Sequence, residues 1–264
     1  MKMPELSFVE EITRHAGQIL RDMYGQQIEV HHKSTADLVT AADSASEEYL
    51  LGRILKQFPT HAINAEESGS HAGAVDHQWF IDPLDGTINF AHGMSMFSVS
   101  VAYAHQGQLE LGVVYDPLLD ECFTVQRGKG AFMNNHRLQV SKVTDLINSL
   151  LVTGFRFGLK DTPLHNFNNF ERFSRMTQGV RRLGSAALDL CYVAAGRLEG
   201  FWEVAINQWD IAAGALLVQE AGGVVTKMFG ESDFMADPIS ILAANPVLHP
   251  LICDILIEER ELIK

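Results

Sequence analysis

Apolar positions along the chain keep two different periods. Near the start, Phe8, Val9, Ile12, Ala16, Ile19, Leu20 and Met23 recur at spacings of three and four, the pattern of one buried helix face. Ser7 and Glu10 predict a capping box for this helix, and Gly25 predicts its stop. A second helix is predicted from Ser44, boxed with Glu47; it carries Tyr49, Leu50, Leu51, Ile54, Leu55 and Phe58 and ends at Pro59. Between the two, HHKSTADLVTAAD reads as a loop or hairpin bearing Asp37 and Asp43.

From residue 95 to about 140 the pattern turns to short β-rich runs: SMFSVSVAYA, QLELGVVYD, ECFTVQ and GAFMNN. Gly107, Asp116-Pro117 and Arg127-Gly128-Lys129-Gly130 separate them, so an antiparallel meander is predicted. From about residue 150 strands and helices alternate. LLVTGF, FWEVAI, GVVTKM and SILAAN read as strands. LHNFNNFERFSRM, AALDLCYVAAG, IAAGALLVQEAGG and the C-terminus read as helices. A soft boundary near residue 145 divides an N-terminal α+β part (1–145) from a C-terminal α/β part (146–264), with no linker to separate them.

Composition fits this picture. With 264 residues, 47 % of them hydrophobic, the chain is long enough for one large globular domain or two fused ones. No apolar run reaches the length of a membrane span, and MKMPELSFVEE lacks the apolar core of a signal peptide, so a soluble cytoplasmic protein is expected. Cys122, Cys191 and Cys253 fit neither a zinc spacing nor a disulfide framework, which points to a reducing compartment. The formal charge of −13 argues against direct nucleic-acid binding, which needs a basic footprint.

The acids change the picture most. In WFIDPLDGTINF an apolar run ends in Asp82 and Asp85, three apart. An ordinary turn explains a lone D-P-x-D-G, but two facing carboxylates also repel, and a cation between them offsets this. Asp43 and Asp210 read as helix-start residues, and Glu66-Glu67 as a pair at a strand end; singly, capping and solvation account for them. Together they suit magnesium, which takes a few carboxylates and leaves its other positions to water and phosphate. Two such ions about 4 Å apart polarise a phosphoryl group and activate water.

WFIDPLDGTINFAHG closely resembles the first signature of the inositol monophosphatase family, and WDIAAGALLVQEAGG resembles its second. ADLVTAAD and AEESG match two further metal-site segments in order, and RRLGSAALDLCYVAAGRLEGFWE resembles the substrate-side segment in its bacterial form.

The resemblance implies a layered αβαβα sandwich with an antiparallel sheet domain and an α/β domain, working as a homodimer. It implies that Glu66, Asp82, Asp85, Asp210 and the Leu84 carbonyl bind two or three Mg2+ ions, Glu66 and Asp82 at the tightest site. Asp43, Thr87 and Glu66 would be catalytic, Thr87 orienting the attacking water through its link to Asp43. Gly86 and Thr87 would hold phosphate; Gly184, Ser185, Ala186, Glu203 and Asp210 would face the alcohol. Glu67 would support its loop. The implied reaction is hydrolysis of myo-inositol monophosphate by metal-activated water, without a phosphoenzyme and with sensitivity to lithium. Alternatives are fructose 1,6-bisphosphate, 3′-phosphoadenosine 5′-phosphate or histidinol phosphate as substrate, or a protein-binding role beside the transcription machinery.

Two positions depart from the family pattern. Ile88 replaces the usual Thr and is expected to pack inward, and the Lys33-to-Asp37 spacing is one residue short. His31-His32 and His92 read as surface or loop residues, and Gly128-Lys129-Gly130 as a hairpin turn. Arg181-Arg182 fits a contact with substrate, subunit or solvent.

Overall fold

A computed structural model describes residues 2–26, 30–34, 37–155 and 165–262, with backbone alone for 30–34, 37–39 and 259–262. The side chains of His31, His32, Lys33 and Asp37 therefore lie outside the described residues. In chain order come α1 (Leu6–Met23), the hairpin β1 (Val30–Ser34) and β2 (Asp37–Thr40), and α2 (Ala41–Gln57). Strands β3 (His61–Ala65), β4 (Gly69–His71) and β5 (Ala74–Asp85) lead to the short α3 (Thr87–Ala91). The meander follows: β6 (Ser98–His105), β7 (Gln108–Asp116), β8 (Glu121–Gln126), β9 (Gly130–Met133) and β10 (His136–Arg137). The second half holds β11 (Leu150–Thr153), α4 (Phe167–Met176), β12 (Gly179–Arg181), α5 (Ala186–Ala194) and β13 (Gly200–Val204). It ends in α6 (Gln208–Glu220), β14 (Val224–Thr226), β15 (Ser240–Ala244) and α7 (Leu248–Leu262).

Two mixed sheets organise these elements. The first runs β10-β9-β8-β7-β6-β5-β3-β4, antiparallel except for β3 beside β5. The second runs β12-β11-β13-β15-β14, with parallel pairing at β11 and antiparallel pairing around β15.

Three apolar clusters give the layering. Ile12, Ala16 and Leu20 of α1 and Leu50 and Ile54 of α2 pack on Trp79, Ile81, Val101, Tyr103 and Val113 of the first sheet. Its other face, with Phe80, Ala102, Val114 and Phe123, packs on α5 and α6, which also cover Phe201, Ile241 and Ala243 of the second sheet. The outer face of that sheet, with Trp202, Leu242 and Ala244, packs against Phe173 of α4 and Leu248, Ile252 and Leu256 of α7. The order is αβαβα. Alternate residues of one strand enter different clusters, so strands such as WFI and SVSVAYA carry apolar residues on both faces. The division near residue 145 lies between β10 and β11, and the middle cluster draws residues from both sides of it.

Local details correct three expectations. Helix α1 starts before Ser7: Phe8 and Val9 donate their N–H groups to the Glu5 carbonyl, and no side chain caps this end. Helix α2 starts at Thr40 rather than Ser44. Thr40 and Asp43 form the capping box there, leaving Ser44 and Glu47 inside the helix. Ile88 is 43 % exposed instead of packing inward, because the buried side of α3 is taken by Asn89 and Phe90.

Candidate active site

An irregularity in β5 explains the spacing of Asp82 and Asp85. Residues three apart on a regular strand point to opposite faces. Here Asp82 pairs with Ser100 and Asp85 with Ser98, so two residues, Pro83 and Leu84, stand opposite one, Val99. This bulge turns both carboxylates to the face shared by Ser98 and Ser100. Asp82 also accepts the Leu84 N–H at 3.0 Å, which closes the bulge on itself.

The second half of the chain meets this face. Ser185 caps α5, and Asp85 sits at that helix start: it accepts the Ser185 hydroxyl at 2.5 Å and the N–H groups of Ala186 (3.2 Å) and Ala187 (2.8 Å). Burial pushes the Asp85 pKa up to about 6, and these donors oppose the rise. Asp210 is the third residue of α6 rather than its cap. Asn207 is the N-cap, and its N–H donates to Asp210 at 2.9 Å. Burial and then the charge of Asp85 push Asp210 up to about 7. Asp82, only 1 % exposed, is raised well above the carboxylate range, first by burial and then by Glu66, Asp85 and Asp210. The neighbours that act most strongly on it are all acids. Glu66 follows β3 and is held beside β5 by its N–H, which donates to the Ile81 carbonyl at 3.1 Å.

Asp43 and Thr87 come together from different elements. The Asp43 carboxylate accepts the Thr40 N–H (2.8 Å) and hydroxyl (2.6 Å) with one oxygen and the Thr87 hydroxyl (3.2 Å) with the other. The Thr87 hydroxyl also lies 3.0 Å from the Leu84 carbonyl. Gly86 precedes α3 at φ 95°, and a Cβ there would stand 2.8 Å from the Met96 carbonyl oxygen and 3.2 Å from that of Gly184. Only glycine allows these loops to approach so closely. Asn89 ties them together, donating to the Met96 (2.7 Å) and Leu183 (2.8 Å) carbonyls.

Glu203 lies on β13 on the α5 side, against Gly154, where a Cβ would fall 1.9 Å from its carboxylate. Gly184, at φ 92°, lets Arg182 and Asn89 crowd in, and Arg182 acts electrostatically on Asp189. Arg181 is exposed on the edge strand β12. His92 is exposed, and residues 127–129 form the turn between β8 and β9.

Sequence reasoning missed three contributors. Glu47 accepts the N–H groups of Glu67 and Ser68. Ser46 donates to the Pro83 carbonyl at 2.8 Å. Asp189 on α5 is buried, one of its oxygens has no hydrogen-bond partner, and burial and Glu203 raise its pKa well above the usual range. For Ser46 and Glu47 a signal existed: they share the helix face of Asp43, Leu50 and Ile54, all of them buried.

Among the described residues no three His, Cys, Asp or Glu side chains already form a metal cage. The carboxylate oxygens are instead turned onto Ser185, Ala186, Ala187, Asn207 and Leu84. The donor set nonetheless suits a hard divalent cation, being all oxygen and anionic, with one acid buried among three others.

The model of the inositol monophosphatase family matches residues 2–261. The Nus factor SuhB of Pseudomonas aeruginosa is 44 % identical over 241 residues, covering 88 % of each chain. The inositol-1-monophosphatase of Mesorhizobium japonicum is 41 % identical, covering 92 % of each. The solved inositol monophosphatase of Anabaena superposes with a TM-score of 0.85 at 41 % identity, covering 96 % of this chain and 95 % of that one. A match over nearly the whole length, in both sequence and layering, means that this chain belongs to the inositol monophosphatase family.

Proposed function

We propose that the protein is a Mg2+-dependent phosphomonoesterase for small polyol phosphates, myo-inositol monophosphate first among them. The observation that carries this reading is the buried Asp82 ringed by Glu66, Asp85 and Asp210, next to the Thr87–Asp43 pair. In this reading Glu66, Asp82, Asp85, Asp210 and the Leu84 carbonyl hold two or three Mg2+ ions. Such ions supply Lewis-acid polarisation of the phosphoryl oxygens and make bound water acidic.

The chain's own groups do the rest. Thr87 gives its proton to Asp43, so its lone pairs accept a proton of the attacking water and fix its direction. Gly86 and Thr87 N–H groups bind phosphate on the turn after Asp85. Glu203, Gly184, Ser185, Ala186 and Asp210 border the alcohol. Water attacks the phosphorus in line, the P–O bond to the alcohol breaks, the departing alkoxide takes a proton from solvent water to leave as the free alcohol, and no phosphoenzyme forms. Lithium inhibits by binding after turnover, and the working unit is a cytoplasmic homodimer.

Among the described residues no helix is long and apolar enough to cross a membrane. A panel of inositol 1-phosphate, fructose 1,6-bisphosphate, 3′-phosphoadenosine 5′-phosphate and histidinol phosphate with Mg2+ tests the reading. The highest kcat/KM is expected on inositol 1-phosphate; a chain that releases phosphate from none of them refutes it.

The 44 % identity to a Nus factor favours a second, transcription-associated role as a protein partner. The charge of −13 suits a basic protein partner. Pull-down with Asp82→Asn tests this: capture of the transcription machinery by the inactive variant supports it, and loss of capture with activity refutes a separate role.

A further inference from the structure

Helix α2 reaches three segments of the site from one face. Asp43 meets Thr87, Ser46 donates to the Pro83 carbonyl, and Glu47 accepts the N–H of Glu67 at 3.0 Å with one oxygen and the N–H of Ser68 at 2.8 Å with the other. Glu47 is 4 % exposed and shares its face with Leu50 and Ile54. Burying a carboxylate there is costly unless its hydrogen bonds are made, and packing alone would be served better by leucine. The two N–H groups it holds belong to the residues directly after Glu66. On the other side, the Glu66 N–H is bonded to Ile81, the residue before Asp82. The backbone at Glu66 is therefore pinned at the strand and again one residue downstream.

Resting on the reading of Glu66 and Asp82 as ligands of a divalent cation, we propose that Glu47 is a positioning residue for that cation. Its carboxylate fixes the turn after β3, so the backbone at Glu66 needs no reordering when its side chain turns to the cation beside Asp82. Without Glu47 the turn gains conformational freedom, and binding must restrict it again; the loss then appears in metal affinity. Glu47 touches neither substrate nor ion.

The test uses the full chain stripped of metal and titrated with Mn2+, with the free ion followed by its electron paramagnetic resonance signal. Glu47→Ala is expected to raise the dissociation constant about tenfold or more, in the range for partners that orient ligands. Its kcat at saturating Mg2+ should fall by a smaller factor than its affinity. Glu47→Gln keeps one acceptor oxygen but turns an NH2 group toward the other N–H, so its affinity should fall between wild type and alanine. A simple staple of the turn would lower the melting temperature of the metal-free protein and leave Mn2+ affinity within twofold, which would overturn the proposal. Should Glu47→Ala not fold, Glu47→Gln decides by the same criterion. Wild type that binds no Mn2+ refutes the cation reading itself, and the positioning role with it. Wild type that binds, with unchanged affinity in the variants, refutes the positioning role alone.

Discussion

Replacing Thr87 by alanine removes a hydroxyl that has two acceptors in reach, Asp43 at 3.2 Å and the Leu84 carbonyl at 3.0 Å. It has one proton, so it satisfies one of them at a time and keeps its lone pairs for a third group. The cap of α3 is Gly86, so alanine at 87 removes no cap. What the fold loses is one half-buried hydrogen bond, worth about 1 kcal/mol. For a chain of this size that lowers the melting temperature by about 2–4 °C. If the hydroxyl directs the attacking water, kcat should fall about 10²-fold, the range for a proton-handling group. That is about 2.7 kcal/mol of barrier, well above the stability lost. KM should barely move, because the lost interaction matures in the transition state.

Asp43→Asn makes the contrast sharper. An amide there keeps its oxygen on the Thr40 N–H and hydroxyl and turns its NH2 to the Thr87 hydroxyl, which then donates to the Leu84 carbonyl, so stability should fall by about 1 kcal/mol or less. Its kcat should nevertheless match that of Thr87→Ala, and the double variant should be little slower than either, since groups acting as a unit are not additive. Steady-state phosphate release at saturating Mg2+, run well below each melting temperature and paired with scanning calorimetry, measures both quantities. Thr87→Ala within a few-fold of wild type, or losses that multiply in the double variant, would show that this pair does not direct the water.

Asp82→Asn, Asp85→Asn and Asp210→Asn should each lose most of the turnover while circular dichroism shows an intact fold; full activity in Asp210→Asn would reduce that residue to the helix-start role it shares with Asn207. Asp85 near 6 and Asp210 near 7 lie above the unfolded value of about 3.9, so the metal-free native chain binds more protons than the unfolded chain between those limits. Its stability contribution from these groups is fully present below about 3.9 and is lost progressively from there to about 6–7. The melting temperature of the chelator-treated protein should therefore decline across that window, and Mn2+ affinity should rise, since ligands must shed protons. A melting temperature that climbs through the window in chelator would contradict the burial argument.

The meander and the buried faces of α1 and α2 were legible because periodicity reports burial directly, whereas the αβαβα layering was implied by the family resemblance. Helix starts were less legible. Ser7 and Ser44 each had the right partner three residues on, but Glu5 and Thr40 began the helices first. A capping motif states what a segment is able to form, and competing backbone bonds decide where the helix begins. The spacing of Asp82 and Asp85 showed that something unusual happened there, but the bulge depends on pairing with Ser98 and Ser100, a relation across strands that one segment does not record. Glu47 was hidden for a related reason: its partners are backbone groups 20 and 21 residues away. Ile88 was misread because a five-residue helix has no repeat to show which side is buried.

The middle layer carries a consequence for biosynthesis. Helices α5 and α6 cover the β5–β9 part of one face of the first sheet, yet the ribosome makes them after every strand of that sheet. Phe80, Ala102, Val114 and Phe123 thus leave the exit tunnel with no cover for several seconds, at elongation rates of about 5–20 residues per second. Chains arrested near residue 145 should be sensitive to protease and should bind holdase chaperones, and chains arrested after α6 has emerged should resist both. The acid cluster is finished by the same late event, since Asp210 rides on α6. A nascent chain therefore brings Asp210 to Glu66, Asp82 and Asp85 only as its hydrophobic interior closes.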